Sequence, residues 1–287
     1  MQSVREHVHK RSGYVWYSTY DDRPAKLFEH INHCRVAIVL TRHDSSCATN
    51  YTHTTRYHKW YADERPVLFD TISYLSIPDQ QAGSFVPKFR SQDELNAYRK
   101  ILSQPQSVNS LMAPQDTEWK VYYKITGVGH WFTFTLYPPR FWRDGVEQRS
   151  SRENSVSFYS ERDRDTVFCC LCSSTHYWLY QARTNCRDFN PTDLRFMPIS
   201  QVMHDGTSSF HELALEIMNV LETTSQTGSG TYSVGGNVEY QKFRPKVAKV
   251  FVDKVDKILS TEFALTEEES DFILNYDIKY RMGSQDD

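Results

Sequence analysis

Residues 119–139, WKVYYKITGVGHWFTFTLYPP, decide how the rest of the chain is interpreted. Apolar and polar side chains alternate from Val121 to Ile125, which is typical of a half-buried strand. The alternation returns from Trp131 to Leu136, after a glycine-containing turn at residues 127–129 that permits a tight reversal. Pro138-Pro139 ends the second strand because proline cannot donate a hydrogen bond to a sheet. The stretch therefore predicts a β-hairpin.

A predicted loop, residues 140–152, follows this hairpin and turns at Asp144-Gly145. The loop carries four arginines, Arg140, Arg143, Arg149 and Arg152. A third short strand is predicted at residues 155–159. Ser160 is predicted to cap a helix that has Asp163 as its third residue, and apolar residues at helical spacing extend this helix to Leu179.

This order of elements resembles the target recognition domain of DNA adenine methyltransferases, especially those in single-chain restriction–modification enzymes. The matching elements are residues 120–123, 131–139, 144–145, 155–159, 176–180 and 186–190. The resemblance implies a β-rich domain that recognises a DNA target, and we place this domain at residues 46–205.

A second match lies nearer the start of the chain. Residues 17–28, YSTYDDRPAKLF, resemble the last part of the family's catalytic domain, with a short helix predicted from Arg23-Pro24. The apolar run CRVAIVL at residues 34–40 is typical of a strand covered on both faces. The resemblance implies that residues 1–45 are a remnant of a Rossmann-like methyltransferase sheet. An ordinary strand–helix–strand unit would explain the apolar positions but not the string itself.

Residues 206–287 are predicted to form C-terminal helices. Two capping boxes are predicted, at Ser209/Glu212 and at Thr266/Glu269. In a capping box, a hydroxyl and the carboxylate three residues later each bond the other residue's backbone N–H. A helix at residues 245–259 is predicted to place Val247, Phe251, Val255 and Ile258 on one apolar face. The Gly/Ser/Thr-rich residues 223–237 are predicted to be a mobile loop. The predicted fold class is therefore α+β.

Two motifs that an amino-methyltransferase needs are missing from the sequence. One is the glycine-rich turn that approaches S-adenosylmethionine, and the other is a D/N-P-P-Y/F motif that holds the flipped target base. The family places both upstream of the position that matches Met1. We therefore expect a split subunit, a truncated product or a solo specificity protein. On this hypothesis the chain binds no cofactor, is inactive alone, and works with a methyltransferase catalytic chain or domain that binds S-adenosylmethionine.

Charge is distributed unevenly along the chain. The net charge is −3, which excludes a bulk polycation. Residues 119–190 hold ten Lys and Arg against seven Asp and Glu, whereas residues 261–287 hold two against eight. Basic elements beside an acidic tail suit a protein that binds nucleic acid through a restricted surface.

Cysteines, histidines and hydropathy bear on the remaining classes. Cys169 and Cys172 form a C-x-x-C without a second pair, so we interpret them as buried small side chains and predict no metal site. The histidines near the start of the chain lack accompanying ligands at zinc-like spacing. No signal peptide or long apolar run is visible, which predicts a cytoplasmic protein with reduced thiols and no membrane partner.

The candidate partner is double-stranded DNA. Arginine can bind guanine bidentately and asparagine can bind adenine, while basic side chains also meet phosphates. The predicted DNA-binding residues are Lys124, His130, Arg140, Arg143, Arg149, Arg152, Arg183, Asn185 and Arg187.

Two alternative functions remain open. The chain could be a protein–protein module that regulates a methyltransferase without touching DNA. It could also be a metal-dependent nuclease, because Glu118 and Lys120 match E-x-K and Asp79 could supply a distant acid for Mg²⁺. The nuclease hypothesis is weaker because the pattern is short and Lys120 already belongs to the predicted recognition strand.

Overall fold

A computed structural model describes residues 2–31, 34–43, 51–77, 85–126, 131–206, 210–232 and 236–283. The chain divides into two compact units. Unit 1 comprises Met1–Tyr98 and Gln181–Asn185, and unit 2 comprises Arg99–Tyr180 and Cys186–Asp287. The architecture is α+β, as predicted, with several small sheets among helices. The origin of residues 1–45 in a methyltransferase sheet stays a prediction.

Unit 1 is built on a mixed four-stranded sheet. Its elements are α1 (Gln2–Arg11), β1 (Tyr14–Tyr20), β2 (Val36–Arg42), β3 (Tyr51–His58), β4 (Leu75–Ile77) and the first part of α2 (Gln92–Leu102). The strand order is β2-β1-β3-β4, with β1 and β3 parallel and the other neighbours antiparallel.

The two faces of this sheet are covered differently. Val15 and Tyr17 are buried on the face where α1 packs, and His9 of that helix bonds the Tyr17 hydroxyl at 3.0 Å. On the other face, one end carries a buried apolar cluster made of Tyr20, Leu27, Trp60 and Leu68. Because side chains alternate along a strand, residues 14 and 16 lie on this second face, beyond the cluster.

Two predictions for residues 1–45 are wrong. The segment after Arg23-Pro24 forms bends instead of a helix. The run at residues 34–40 forms strand β2, but Val39 is 43% exposed and Leu40 is 55% exposed. Among the described strands β2 pairs with β1 alone, so it is an edge strand. An unbroken apolar run cannot distinguish a covered central strand from an edge strand, because the covering neighbours are distant in sequence.

Unit 2 contains the remaining elements. Its strands are β5 (Gln106–Ser107), β6 (Lys120–Lys124), β7 (Phe134–Thr135), β8 (Phe141–Arg143), β9 (Val146–Glu147), β10 (Glu153–Ser157), β11 (Pro198–Ile199), β12 (Gln226–Tyr232) and β13 (Gly236–Lys242). Its helices are α3 (Glu161–Cys172), α4 (Ser174–Arg183, which ends in unit 1), α5 (Pro191–Arg195), α6 (Gln201–Asp205), α7 (His211–Thr223), α8 (Lys249–Glu262), α9 (Glu267–Asn275) and α10 (Ile278–Arg281).

The predicted central hairpin is confirmed in part. Strand β6 pairs with β7, but β7 covers only Phe134–Thr135 instead of the six residues from Trp131 to Leu136. The predicted turn at residues 127–129 lies outside the described residues. The third strand, β10, pairs with β6 along its whole length, which gives a sheet in the order β10-β6-β7.

The predicted helix after Ser160 is two helices. The Ser160 cap is confirmed, since its Oγ accepts a hydrogen bond from the backbone N–H of Asp163 at 3.2 Å. Helix α3 then ends at Cys172 because Ser173 adopts an extended backbone, with φ −68° and ψ 156°. Helix α4 begins at Ser174, where a carboxylate from another helix, Asp256, satisfies its first backbone N–H groups.

The predicted mobile loop at residues 223–237 is wrong. Strands β12 and β13 fill most of it, although residues 233–235 lie outside the description. The predicted arginine loop is likewise largely a β8–β9 hairpin, and β13 pairs with β8 to give the sheet order β12-β13-β8-β9. Glycine has a packing reason here, because a Cβ at Gly228 would lie 2.7 Å from the Tyr240 ring.

The C-terminal helices follow the predictions unevenly. Helix α7 buries one apolar face that includes Leu213, Ile217 and Leu221. The capping box of Thr266 and Glu269 is confirmed, whereas Ser209 lies outside the described residues. Helix α8 buries a different face from the predicted one. Its buried residues are Val252, Val255, Asp256 and Leu259, and only Val255 was predicted.

Candidate nucleic-acid interface

The β8–β9 hairpin is held rigidly at its turn. Asp144 and Gly145 both have positive φ, at 49° and 79°, which is the backbone of a two-residue hairpin turn. The Asp144 carboxylate accepts a hydrogen bond from the backbone N–H of Asn237 at 2.9 Å. The carbonyl of Asn237 in turn accepts one from the N–H of Asp144 at 2.8 Å. Strand β13 therefore fixes the position of the turn.

The four arginines of residues 140–152 are all exposed. Arg149 donates to the Ser155 hydroxyl at 3.3 Å, and Arg152 donates to the Thr126 hydroxyl at 3.2 Å. None of the four has a carboxylate within ion-pair distance among the residues that the structure describes. Hydroxyl partners orient a guanidinium without neutralising it, so these cations remain available to an anion.

The hairpin also carries acidic and apolar groups. Trp142 lies in register between Glu239 of β13 and Glu147 of β9. Arg143, the next residue, belongs to the opposite face of the sheet because side chains alternate along a strand. At the tip, Val146 is 65% exposed. The hairpin thus has Trp142 and two glutamates on one face, and Arg143 and Val146 on the other.

Lys124 lies inside unit 2 rather than on an open surface. Its Nζ is 5.2 Å from the centre of the Tyr240 ring, and Glu153 is its partner in the neighbouring strand. Burial lowers the pKa of Lys124, while the nearby Glu153 opposes that change. This half-buried amine fits an internal charge pair better than a phosphate contact.

Two of the other predicted DNA-contact residues belong to unit 1, whereas the hairpin belongs to unit 2. Arg183 and Asn185 belong to unit 1, whereas Arg187 belongs to unit 2. The Arg183 guanidinium lies 4.5 Å from the centre of the Phe85 ring and donates to the Tyr98 hydroxyl. Asn185 and Arg187 are exposed. His130 lies outside the described residues.

One group of side chains in the described ranges has the spacing of metal ligands. Possible ligand atoms of Glu161, Asp165 and His211 all lie within 4.8 Å of one another. Arg164 donates to Asp165 at 2.8 Å and to Glu161 at 3.1 Å, so a cation already serves both carboxylates. The hydrogen bond to Asp165 raises the pKa of His211. We interpret the group as a charge network.

The structure gives no support to a reactive role for the buried thiols or for the E-x-K residues that it describes. Cys169 and Cys172 are buried, as predicted, and burial raises the pKa of both thiols, which disfavours the reactive thiolate. Lys120 pairs with Asp116 at 2.6 Å. Asp79, the proposed distant acid, lies outside the described residues.

Sequence reasoning missed the groups that orient the arginines. Ser155 lies in strand β10 and Thr126 lies two residues after β6, and no local pattern marks either hydroxyl as the partner of a guanidinium. It also missed a set of parallel aromatic rings on the unit 1 sheet, formed by Tyr14, Trp16, Tyr51 and His53.

No family model matches the chain, and no curated protein matches it. Across the described residues, no helix combines the length and apolar character needed to cross a membrane.

Proposed function

We propose that the chain binds double-stranded DNA sequence-specifically, as the recognition portion of an adenine methyltransferase or restriction–modification enzyme. It would present the target adenine to a separate catalytic chain or domain and would not be catalytic alone. The methyltransferase part of the proposal rests on the resemblance of residues 17–28 and 119–190.

One observation carries the DNA-binding part. Four exposed arginines, which have no carboxylate within ion-pair distance in the part of the chain that the structure describes, lie on or beside a hairpin whose turn is fixed by β13. A rigid scaffold that presents cations from a short segment is a common way to contact a nucleic acid. Phosphate contacts from some of these arginines would position the protein, and base contacts from others would supply specificity.

A second candidate is favoured by the other groups of the same hairpin. Trp142 lies between two glutamates and is poorly suited to a DNA backbone, because carboxylates repel phosphates. This face fits a protein partner with an apolar centre and a polar rim. A regulatory protein–protein module is therefore the alternative function.

The test is duplex binding across a salt series. We expect the purified full chain to bind a pool of random duplexes, with log affinity falling by about 0.9 per log salt for each phosphate contact. Replacing Arg140, Arg143, Arg149 and Arg152 by alanine should abolish binding at moderate salt and flatten that slope. Selection of bound duplexes from the pool then reports whether one sequence is enriched.

A charge-matched variant controls for a general loss of positive charge. Alanine at Arg162, Arg195, Lys254 and Lys257 removes the same four charges from other exposed positions of unit 2. This control should retain most of the affinity. Equal weakening by both quadruple variants would mean non-specific attraction, and a hairpin variant that binds like the unmodified chain would favour the protein–protein module.

Dependence on a catalytic partner is tested separately. The missing glycine-rich turn and N-P-P-Y motif lead us to expect no S-adenosylmethionine binding by the isolated chain. Isothermal calorimetry at millimolar cofactor measures this directly. Micromolar affinity for the cofactor would overturn the recognition-portion proposal even if duplex binding were observed.

A further inference from the structure

Aromatic rings on β1 and β3 form a parallel set on one face of the unit 1 sheet. Tyr14 is paired in register with Tyr51, and Trp16 with His53. The ring centres of Tyr14 and Tyr51 are 5.0 Å apart with an angle of 15° between planes. Those of Trp16 and His53 are 5.1 Å apart at 9°. Tyr14 and Trp16 are also nearly parallel, at 12°. We call these four residues the ring ladder.

An arginine extends the ladder on its other side. Arg42 of β2 is the register partner of Tyr14, and its guanidinium carbon lies 3.8 Å from the centre of the Tyr14 ring. The Arg42 guanidinium, the Tyr14 ring and the Tyr51 ring thus lie side by side on the neighbouring strands β2, β1 and β3. Arg42 is exposed and has no carboxylate partner in the described part of the chain. Stacking uses the flat face of the guanidinium and leaves its N–H groups for an anion.

The ladder occupies an open part of its face. Helix α1 packs on the opposite face, and the Tyr20 cluster covers only the far end of β1. Tyr51 is 41% exposed and Leu40, the register partner of Trp16, is 55% exposed. Tyr14, Trp16 and His53 are half-buried, so each ring keeps part of its surface in contact with solvent.

Charge on this sheet is exclusively positive. The four strands contain no Asp or Glu, and their charged residues are Arg42 and Arg56. The Nε2 of His53 is buried without a hydrogen-bond partner among the described residues, and burial lowers the pKa of this imidazole, so His53 contributes its ring and no charge. Parallel rings, a stacked guanidinium and an absence of carboxylates on these strands are the features with which proteins bind unpaired bases and their phosphates.

We propose that the ring ladder and Arg42 form a binding site for single-stranded nucleic acid. An unpaired base continues the stack beyond Tyr51, the most exposed ring of the ladder, and the guanidinium of Arg42 donates to a backbone phosphate. Stacking needs only the flat face of a base, so this site tolerates many sequences. The site lies in unit 1 and does not depend on the duplex contact proposed for the hairpin of unit 2.

The test uses a fluorescein-labelled oligothymidine of fifteen nucleotides and fluorescence anisotropy of the full chain. We expect measurable binding at low salt, and Tyr51→Leu should weaken it about tenfold, the effect of losing one stacked base. Arg42→Gln should reduce the steepness of the salt dependence by about 0.7, the contribution of one phosphate in a single strand. Tyr159→Leu removes a ring that is 58% exposed in unit 2, and it should leave affinity unchanged.

The same variants distinguish a loss of folding from a loss of binding, and they distinguish the two proposals from each other. Circular dichroism melts identify any variant that has lost its structure, and Arg42→Gln keeps the test valid if Tyr51→Leu unfolds, because Arg42 is exposed. No binding by the unmodified chain, or folded Tyr51 and Arg42 variants with full affinity, would overturn the proposal. Loss of duplex binding alone would count only against the hairpin.

Discussion

Asp256 accepts hydrogen bonds from both the backbone N–H and the hydroxyl of Thr175, at 3.1 and 3.0 Å. Its second carboxylate oxygen accepts from the backbone N–H of Ser174 at 3.0 Å. A fully buried side chain of α8 therefore caps the first turn of α4. Arg281 donates to the Ser174 hydroxyl at 2.8 Å, so a cation accompanies the buried acid.

Replacing Asp256 by alanine should lower the free energy of unfolding by about 3 kcal/mol, because buried N–H groups and Arg281 lose their counterpart. Asp253→Ala on the same helix is the matched control. Asp253 pairs with Lys249 near the surface, so its loss should change stability by about 1 kcal/mol or less. Urea unfolding followed by circular dichroism measures both. Equal effects of the two substitutions would contradict the capping role.

Glu94 should make the chain less stable as pH rises. Burial raises the pKa of this carboxyl to about 7, although the backbone N–H and guanidinium of Arg90 partly oppose the change. The folded state then binds more protons than the unfolded state between pH 4.5 and 7, so stability falls through that window. The contribution is up to roughly 3 kcal/mol.

Glu94→Gln should remove this component of the pH dependence while keeping the side chain's size. The measurement is the difference in unfolding free energy between the unmodified chain and the variant at each pH from 4 to 8. The variant should gain stability relative to the unmodified chain as pH rises. A constant difference across the range would show that Glu94 does not titrate in this window.

His176 should act in the opposite direction. Burial lowers the pKa of this imidazole to about 4, and a hydrogen bond to the Leu171 carbonyl at 2.9 Å opposes the change. The ring packs against Phe132 and Phe189. Its neutral form therefore contributes stability that is present above pH 6.5 and is lost as pH falls toward 4.

His176→Asn can still donate to the Leu171 carbonyl but does not titrate. We expect this variant to be less stable than the unmodified chain at pH 7, because it fills less of the aromatic cluster. Its deficit should shrink as pH falls from 6.5 to 4. Unfolding curves at several pH values test this expectation, and a deficit that grows on acidification would contradict it.

The exposed edge strand β2 should promote self-association. Its outer edge has no partner among the described strands, and unpaired backbone groups beside Val39 and Leu40 form a template for another strand. We expect concentration-dependent oligomers in sedimentation velocity. Val39→Lys should shift the chain toward monomer, because a charge on an edge strand disfavours pairing. If the unmodified chain is monomeric at all concentrations, the edge of β2 does not promote self-association.

Local sequence patterns determined the elements whose signals lie within a few residues of one another. The caps at Ser160 and Thr266 were predictable because a hydroxyl and the backbone three residues later meet within one helical turn. Strand β6 was predictable from the alternation of apolar and polar side chains between Val121 and Ile125. The exposed arginines could be named from the sequence, but their hydroxyl partners could not.

Tertiary structure decided everything that depends on a partner distant in the chain. Residues 223–237 were predicted as a loop, yet β12 occupies residues 226–232 and β13 begins at Gly236, because β12 pairs with β13 and β13 pairs with β8. The break at Ser173 and the buried face of α8 both depend on Asp256, a polar residue that hydrophobic periodicity assigns to the surface. The ring ladder exists only because β1 and β3 pair in parallel and in register. These outcomes follow from non-local contacts, whose energies no short window of sequence contains.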